Sequence, residues 1–340
     1  MKKLLKFVLI LTVCAVFSPL LTVGFPVSSP VEVFEPQETV SENILTLPKK
    51  TSYDETTVVR LNTDSGLREL SLREYLTGVL AAEMPAGFPE EALKAQAVAA
   101  RTYTLYKMAL YSGENQPPEG HGSADLCDDP GHCEAFLDLS VEAERLWGDS
   151  ADIYRQRVER AVEQTDGMVL VYEDEPIAAV FCAASAEKTE RAADIWGREL
   201  PYLTSVDSPG GSDCSQYEGT VTVRQEDFRD AILAMAPEAD FSGAPGTWFR
   251  DSHRSEAGSV IDVLVGEVRL TGSQVRQAAG LNSANFKVKV EGENLVFTTV
   301  GYGHGVGLSQ YGARYLAMDG QTYDQILYHY YPGTQLRLEG

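Results

Sequence analysis

From Phe7 to Val31 the chain carries no charge, and Lys2, Lys3 and Lys6 stand just before that stretch. The dense apolar run Phe7–Val23 approaches the roughly 20 residues a helix needs to cross a hydrocarbon layer of about 30 Å. A cleaved signal peptide is the alternative, but it asks for a short apolar region and a small-x-small exit, and Thr22-Val23-Gly24 offers no clean one. Both readings stay open, and the sequence favours a single transmembrane helix over residues 7–25. In either case the positive-inside rule leaves residues 1–6 cytoplasmic and everything after the helix outside. Of the five cysteines, Cys14 falls within this segment. Cys127, Cys133, Cys182 and Cys214 would face an oxidising compartment, where two disulfides are the simplest expectation.

Fifty Asp and Glu against 28 Lys and Arg give a net charge of −22. Affinity for nucleic acid comes largely from Lys and Arg neutralising phosphates, so nucleic acid is excluded as a partner. Residues 26–54 carry Pro26, Pro30, Pro36 and Pro48 among Ser, Glu and Thr, a composition that cannot bury a core and reads as an extended linker. One extracytoplasmic domain is then expected over residues 55–335.

Within it, Val58–Leu61 and Glu69–Ser71 predict a strand pair around Thr63-Asp64-Ser65-Gly66. Leu72, Tyr75, Leu76, Val79 and Leu80 recur at helical spacing, and this helix should stop near Glu83-Met84-Pro85. Pro89 opens a second helix with Leu93, Ala97, Ala100, Thr104 and Met108 on one side and Lys94 and Arg101 on another. A helix over 151–164 follows, then strands at Met168–Tyr172 and Ile177–Cys182 paired across Asp174-Glu175-Pro176. Further strands are expected at 260–265, 268–271, 286–290 and 295–300, with helices at 227–235, 308–318 and 323–330. Helices lead and strands dominate later, which predicts an α+β fold: a helical N-terminal part, a mixed or antiparallel β-rich remainder and one groove.

Three features carry chemistry. His121, Cys127, His132 and Cys133 lie within a Gly-, Pro- and Asp-rich loop, residues 120–134, and two thiolates with two imidazoles make a closed tetrahedral zinc shell. With no open position the ion would staple a loop without a core of its own; a Cys127–Cys133 disulfide is the alternative. Glu83 closes an apolar helix, where burial and the negative helix end both raise a carboxyl pKa toward that of a general acid; a solvated surface glutamate is the plainer reading. Ordinary glycoside hydrolysis needs a second carboxylate, and none stands out. Finally, Gly301, Gly303, Gly305 and Gly307 surround His304 ahead of a helix, in a spacing that matches neither the dinucleotide fingerprint nor the P-loop. His304 either ties this loop to the core or lines a groove.

Together these residues resemble a known family. Ala81-Ala-Glu83-Met-Pro, Ala92-Leu-Lys94-Ala-Gln96 through Arg101-Thr-Tyr103, the His121/Cys127/His132/Cys133 cluster, Trp196-Gly197 with Pro201-Tyr202, and Gly303-His304 through Gln310-Tyr-Gly312 resemble, in order, the stage II sporulation protein D family. The resemblance spans roughly residues 55–335. It implies a membrane-anchored lytic transglycosylase that acts on peptidoglycan during engulfment in endospore formation, with its domain in the space between the sporangium's two membranes. It further implies Glu83 as catalytic acid and base, Lys94 and Arg101 as required groups on the next helix, and zinc on the four residues above. It adds a cell-wall amidase partner with a membrane protein that recruits the pair. Where the family has Phe-His-Ser-Thr-Ser-Gly-Gly-Lys-Thr-Glu, this chain reads Phe181-Cys-Ala-Ala-Ser185-Ala-Glu187-Lys188-Thr189-Glu190, so the usual His and paired glycines are missing. Ser185, Lys188 and Thr189 remain as substrate-binding candidates, with His304 and Gln310. Amidase-enhancer proteins share the domain, so a non-catalytic, glycan-binding activator of an amidase is the alternative function.

Overall fold

A computed structural model describes residues 51–112, 117–129 and 131–340. The expected tail 1–6, the membrane-spanning segment 7–25 and most of the linker lie outside these residues. No helix among the described residues is long and apolar enough to cross a membrane. The fold expectation is corrected on that point: the described residues are α+β with mixed sheets, and none of their helices supports a membrane span. The described fold also includes residues before position 55. A short helix α1 (Tyr53–Thr56) places Asp54 in the interior, where it pairs with Arg101, so residues 51–54 belong to the domain.

Strands β1 (Val58–Thr63) and β2 (Gly66–Ser71) form the expected antiparallel hairpin, with Thr63 opposite Gly66. Ser71 then caps helix α2 (Leu72–Glu83) through a capping box with Glu74, which satisfies backbone donors at both ends of the motif. Helix α3 (Glu90–Leu110) follows, buried on several faces from Ala92 to Arg101. Its alanines let neighbours approach closely, which makes it the central helix. Strand β3 (Leu126–Cys127) adds in parallel to β1. Helices α4 (Leu139–Trp147) and α5 (Ala151–Gln164) complete the helical part. Strand β4 (Met168–Tyr172) turns tightly into β5 (Glu175–Pro176). The expected strand over 177–182 is reduced to β6 (Phe181–Cys182), and a short helix α6 (Ala192–Trp196) follows.

Residues 218–300 build a second core. Strand β7 (Glu218–Arg224), helix α7 (Gln225–Met235), strands β8 (Phe249–Arg254), β9 (Val260–Val265) and β10 (Val268–Thr271), helix α8 (Gly272–Ala279) and strands β11 (Phe286–Glu291) and β12 (Asn294–Val300) make two three-stranded antiparallel sheets, β10-β9-β8 and β11-β12-β7. Phe228, Trp248, Phe286 and Phe297 fill the space between them. The chain leaves this region beside its point of entry, because Glu218 pairs with Val300. It then rejoins the first core through β13 (Leu308–Ser309), which pairs in parallel with β6. Helices α9 (Gln310–Met318) and α10 (Tyr323–Tyr330) pack on α3, as do α2 and α5, and β14 (Gln335–Leu338) pairs with β4. All four described cysteines are free thiols, so the expected disulfides do not form.

Candidate functional site

Glu83 is the last residue of α2, partly buried, and its Oε1 accepts a 3.0 Å hydrogen bond from the Ala135 N–H. Gly78 brings that amide into place. A Cβ at residue 78 would stand 2.4 Å from the Phe136 ring and 2.5 Å from the Leu137 carbonyl, so only glycine lets residues 135–137 run along α2, where the Leu137 N–H bonds the Gly78 carbonyl. Burial raises the Glu83 carboxyl above its ordinary range, against the opposing pull of the Ala135 N–H and the Gln310 side chain. The Gln310 Nε2 meets no acceptor at good hydrogen-bond geometry, so its hold on the carboxylate is weak. Since Oε1 accepts the amide proton, Oε2 is the better place for a transferable one.

Two residues before Ala135 ends a cluster of four soft donors. His121 Nε2 lies 2.9 Å from His132 Nδ1 and 3.2 Å from Cys133 Sγ, and His132 Nδ1 lies 3.4 Å from Cys127 Sγ. All four donor atoms fall within 4.8 Å of one another, an arrangement that could hold a metal ion. The set fits: burial lowers both histidine pKa values, which keeps the imidazoles neutral as ligands must be. Two sulfurs and two nitrogens suit a tetrahedral ion.

The glycine loop faces the same carboxyl. Gly307 takes φ 74°, and a Cβ there would lie 2.0 Å from the Val180 carbonyl, so this approach to the 180–190 segment requires glycine. Tyr302 sits close enough to Glu83 for the carboxylate charge to raise its own pKa, although burial is the larger cause. His304 is held neutral at about pKa 4 by burial, with the Arg276 charge adding to it. Its Nδ1 accepts from the Val306 N–H, its ring meets Trp196 at 5.3 Å, and the Phe181 carbonyl engages the imidazole.

A model of the stage II sporulation protein family matches residues 62–172. Stage II sporulation protein D of Bacillus subtilis is 36% identical over 273 residues, 80% of this chain and 76% of the relative. The chain belongs to the stage II sporulation protein D family. The Bacillus amyloliquefaciens protein of the same name is 34% identical over 79% of this chain and 75% of its own length. A protein of Bacillus subtilis named amidase enhancer is 27% identical over 77% of this chain and 40% of its own length.

Within this sporulation family member, the fold brings Glu83, Gln310 and the loop bearing His304 together, and it gathers the four donors of the metal cluster. It does not bring Arg101 to them. That side chain is fully buried; it reaches Asp54 at 2.6 Å and the Val162 and Met168 carbonyls at 3.2 Å, so it ties α1, α5 and β4 to α3 and cannot touch a substrate. Ser185 and Thr189 are likewise interior, bonded to Ser208 and to the Thr204 carbonyl, and their expected substrate contacts are withdrawn. Lys94 is held by Glu91 at 2.8 Å and Glu90 at 3.4 Å. Lys188 is exposed and pairs with Glu256 of the second core. Glu134 was invisible from sequence. It is 3% exposed, its Oε2 accepts from Thr104 at 2.9 Å, and burial pushes its carboxyl well up, with the Glu83 charge adding to the effect. Its position directly after a metal-cluster cysteine was the one signal available.

Proposed function

We propose that this protein is a lytic transglycosylase that cleaves the N-acetylmuramic acid to N-acetylglucosamine bond of denuded peptidoglycan strands, outside the cytoplasm, during engulfment. The observation that carries the reading is Glu83: a partly buried carboxyl at a helix end, raised by burial, with one oxygen pinned by a backbone amide.

In this mechanism Glu83 starts protonated and gives the Oε2 proton to the departing glycosidic oxygen. As a carboxylate it then takes the proton of the muramyl C6 hydroxyl, which attacks the anomeric carbon and closes a 1,6-anhydro ring. The nucleophile belongs to the substrate, so no second carboxylate is needed, and Glu134 at 3% exposure could not reach a sugar in any case. His304, Lys94 and Lys188 are the remaining candidates to hold the strand, and Gln310, buried at 4% exposure, acts only on the Glu83 carboxyl. His121, Cys127, His132 and Cys133 would hold zinc, which with four protein ligands supplies a structural crosslink to the loop leading into Ala135.

Likeness to a protein named amidase enhancer supports an amidase as working partner and supplies the rival reading of a binding scaffold without cleavage; a membrane protein recruiting the pair rests on the family resemblance alone. Product chemistry separates the two. Mass spectrometry of denuded glycan incubated with the protein should find anhydro-ended fragments, and Glu83→Gln should abolish them while glycan binding persists. Unchanged products from that variant would sink the acid assignment, and new reducing ends would mean hydrolysis. Zinc should copurify at one ion per chain, and Cys127→Ser should lower thermal stability more than the activity of the fraction still folded.

A further inference from the structure

We infer that the exposed face of Trp196 is a stacking platform for an uncharged pyranose ring of the glycan strand, a binding subsite apart from the bond that is cut; this deepens the glycan-cleaving reading above and rests on it. Of the three tryptophans in the chain, Trp248 is buried and Trp147 packs against the first core, whereas Trp196 is 46% exposed. A lone exposed aromatic is ordinary. What sets Trp196 apart is that its ring is held against His304 of the glycine loop while nearly half of the residue stays exposed.

The ring is fixed from its backbone and from its neighbour. Trp196 ends α6, and Gly197 takes a left-handed φ of 67° so that its N–H caps the Ala193 carbonyl. Arg191, just before the helix, reaches Glu199, just after it, at 2.7 Å. The indole rests on His304 at 5.3 Å between centroids, and the Val306 N–H holds that imidazole in place at 3.1 Å. A large ring with few torsions, already held, loses little freedom when it binds.

The platform also connects to the acid. Trp196 touches His304, and two residues before His304 on the same loop stands Tyr302, which lies within electrostatic reach of Glu83. The C–H bonds on a pyranose face are weakly positive, and the negative face of an indole attracts them while removing apolar area from water. The uncharged ring of a denuded strand is N-acetylglucosamine, because removing a stem peptide leaves a lactyl carboxylate on each N-acetylmuramic acid, and that carboxylate is the less favourable neighbour for a chain of net charge −22.

The test uses the full chain carrying Glu83→Gln, so that glycan binds without being cut, with denuded glycan strands as the probe and acrylamide quenching of tryptophan emission as one readout. Glycan should shield the emission from acrylamide. Adding Trp196→Ala should weaken binding about tenfold and remove the shielding at unchanged melting temperature, and Trp196→Phe should restore most of the affinity. In the chain with Glu83 intact, Trp196→Ala should raise KM with kcat little changed. Parental affinity in the Trp196→Ala chain overturns the subsite and leaves the Glu83 chemistry standing. Failure of the Glu83→Gln parent to bind glycan at all overturns both.

Discussion

Around α3 the interior contains charge: Arg101 against Asp54, Glu134 beside Thr104, Lys107 on the His132 carbonyl, and Gln96 with both amide atoms unpartnered. Inside residues 218–300 the buried polar residues are Ser259, Ser283 and Thr299, and the rest is aromatic and aliphatic. Burying charge costs stability unless every partner is in place, while burying Phe and Val gains it without directional demands. Glu83 and the metal cluster belong to the region that accepts this cost. The region with the simpler core supplies none of the four candidate metal ligands and not Glu83; it meets the rest through the Ser259 N–H on Glu190 at 3.2 Å, the Glu256–Lys188 pair, the Asn282 carbonyl, which accepts from the Gly303 N–H at 3.0 Å, and Arg276, whose charge reaches His304.

The sharpest test of this contrast separates activity from stability at one residue. Glu83→Gln should cost about 10²–10⁴ in rate and yet leave the protein slightly more stable at neutral pH. The sign follows from the raised carboxyl. Folded Glu83 keeps its proton at pH values where the unfolded chain has lost it, so wild-type stability falls as pH rises from the ordinary carboxylate range through the raised value. The glutamine removes that fall. Denaturant midpoints for both proteins across this range check it, and equal pH dependence would mean that Glu83 is solvated.

Next in size is Arg101→Ala, which leaves Asp54 buried without its partner and should cost about 3–5 kcal/mol, read as a large drop in midpoint. If the loss is below about 1 kcal/mol, the interior of the first region is wetter than its burial implies. Phe297→Ala should cost about 3 kcal/mol through a cavity among Phe228, Phe249 and Phe286, while metal content stays unchanged. Metal lost in step with that destabilisation would show that the two cores do not act separately. The smallest effect belongs to one link between them: Lys188→Ala breaks an exposed pair with Glu256 and should lower the denaturant midpoint only slightly, a difference that about 0.5 M salt should largely remove.

The sequence was readable where one periodicity met one environment. The first hairpin strand, helices α2, α3 and α5, and the strands from 260 to 300 follow their apolar spacing, and each lies within about two residues of expectation, whereas the exposed second hairpin strand starts three residues before the expected Glu69. Other elements could not be read in this way. Strand β8 is exposed along most of its length and rich in Arg, Asp and His, so no alternation marks it. Helices α4 and α8 are short, and α8 begins on glycine. At the site, the four candidate metal ligands were legible because two thiols and two imidazoles within so few residues are rare. Arg101 was misplaced because helical spacing gives the face a residue occupies but not what covers that face, and its cover, Asp54, comes from a segment whose composition looks like linker.

The pairing of Glu218 with Val300, reinforced by the Gly301 N–H on the Tyr217 carbonyl at 2.7 Å, means that all of residues 218–300 hang from two adjacent strands. A stretch attached in this way is topologically detachable: it could be trimmed, enlarged or exchanged for a tight turn without rethreading the rest of the chain. Among relatives, differences in length should therefore accumulate beyond this doorway, while the spacing from Glu83 to Cys133 stays nearly fixed.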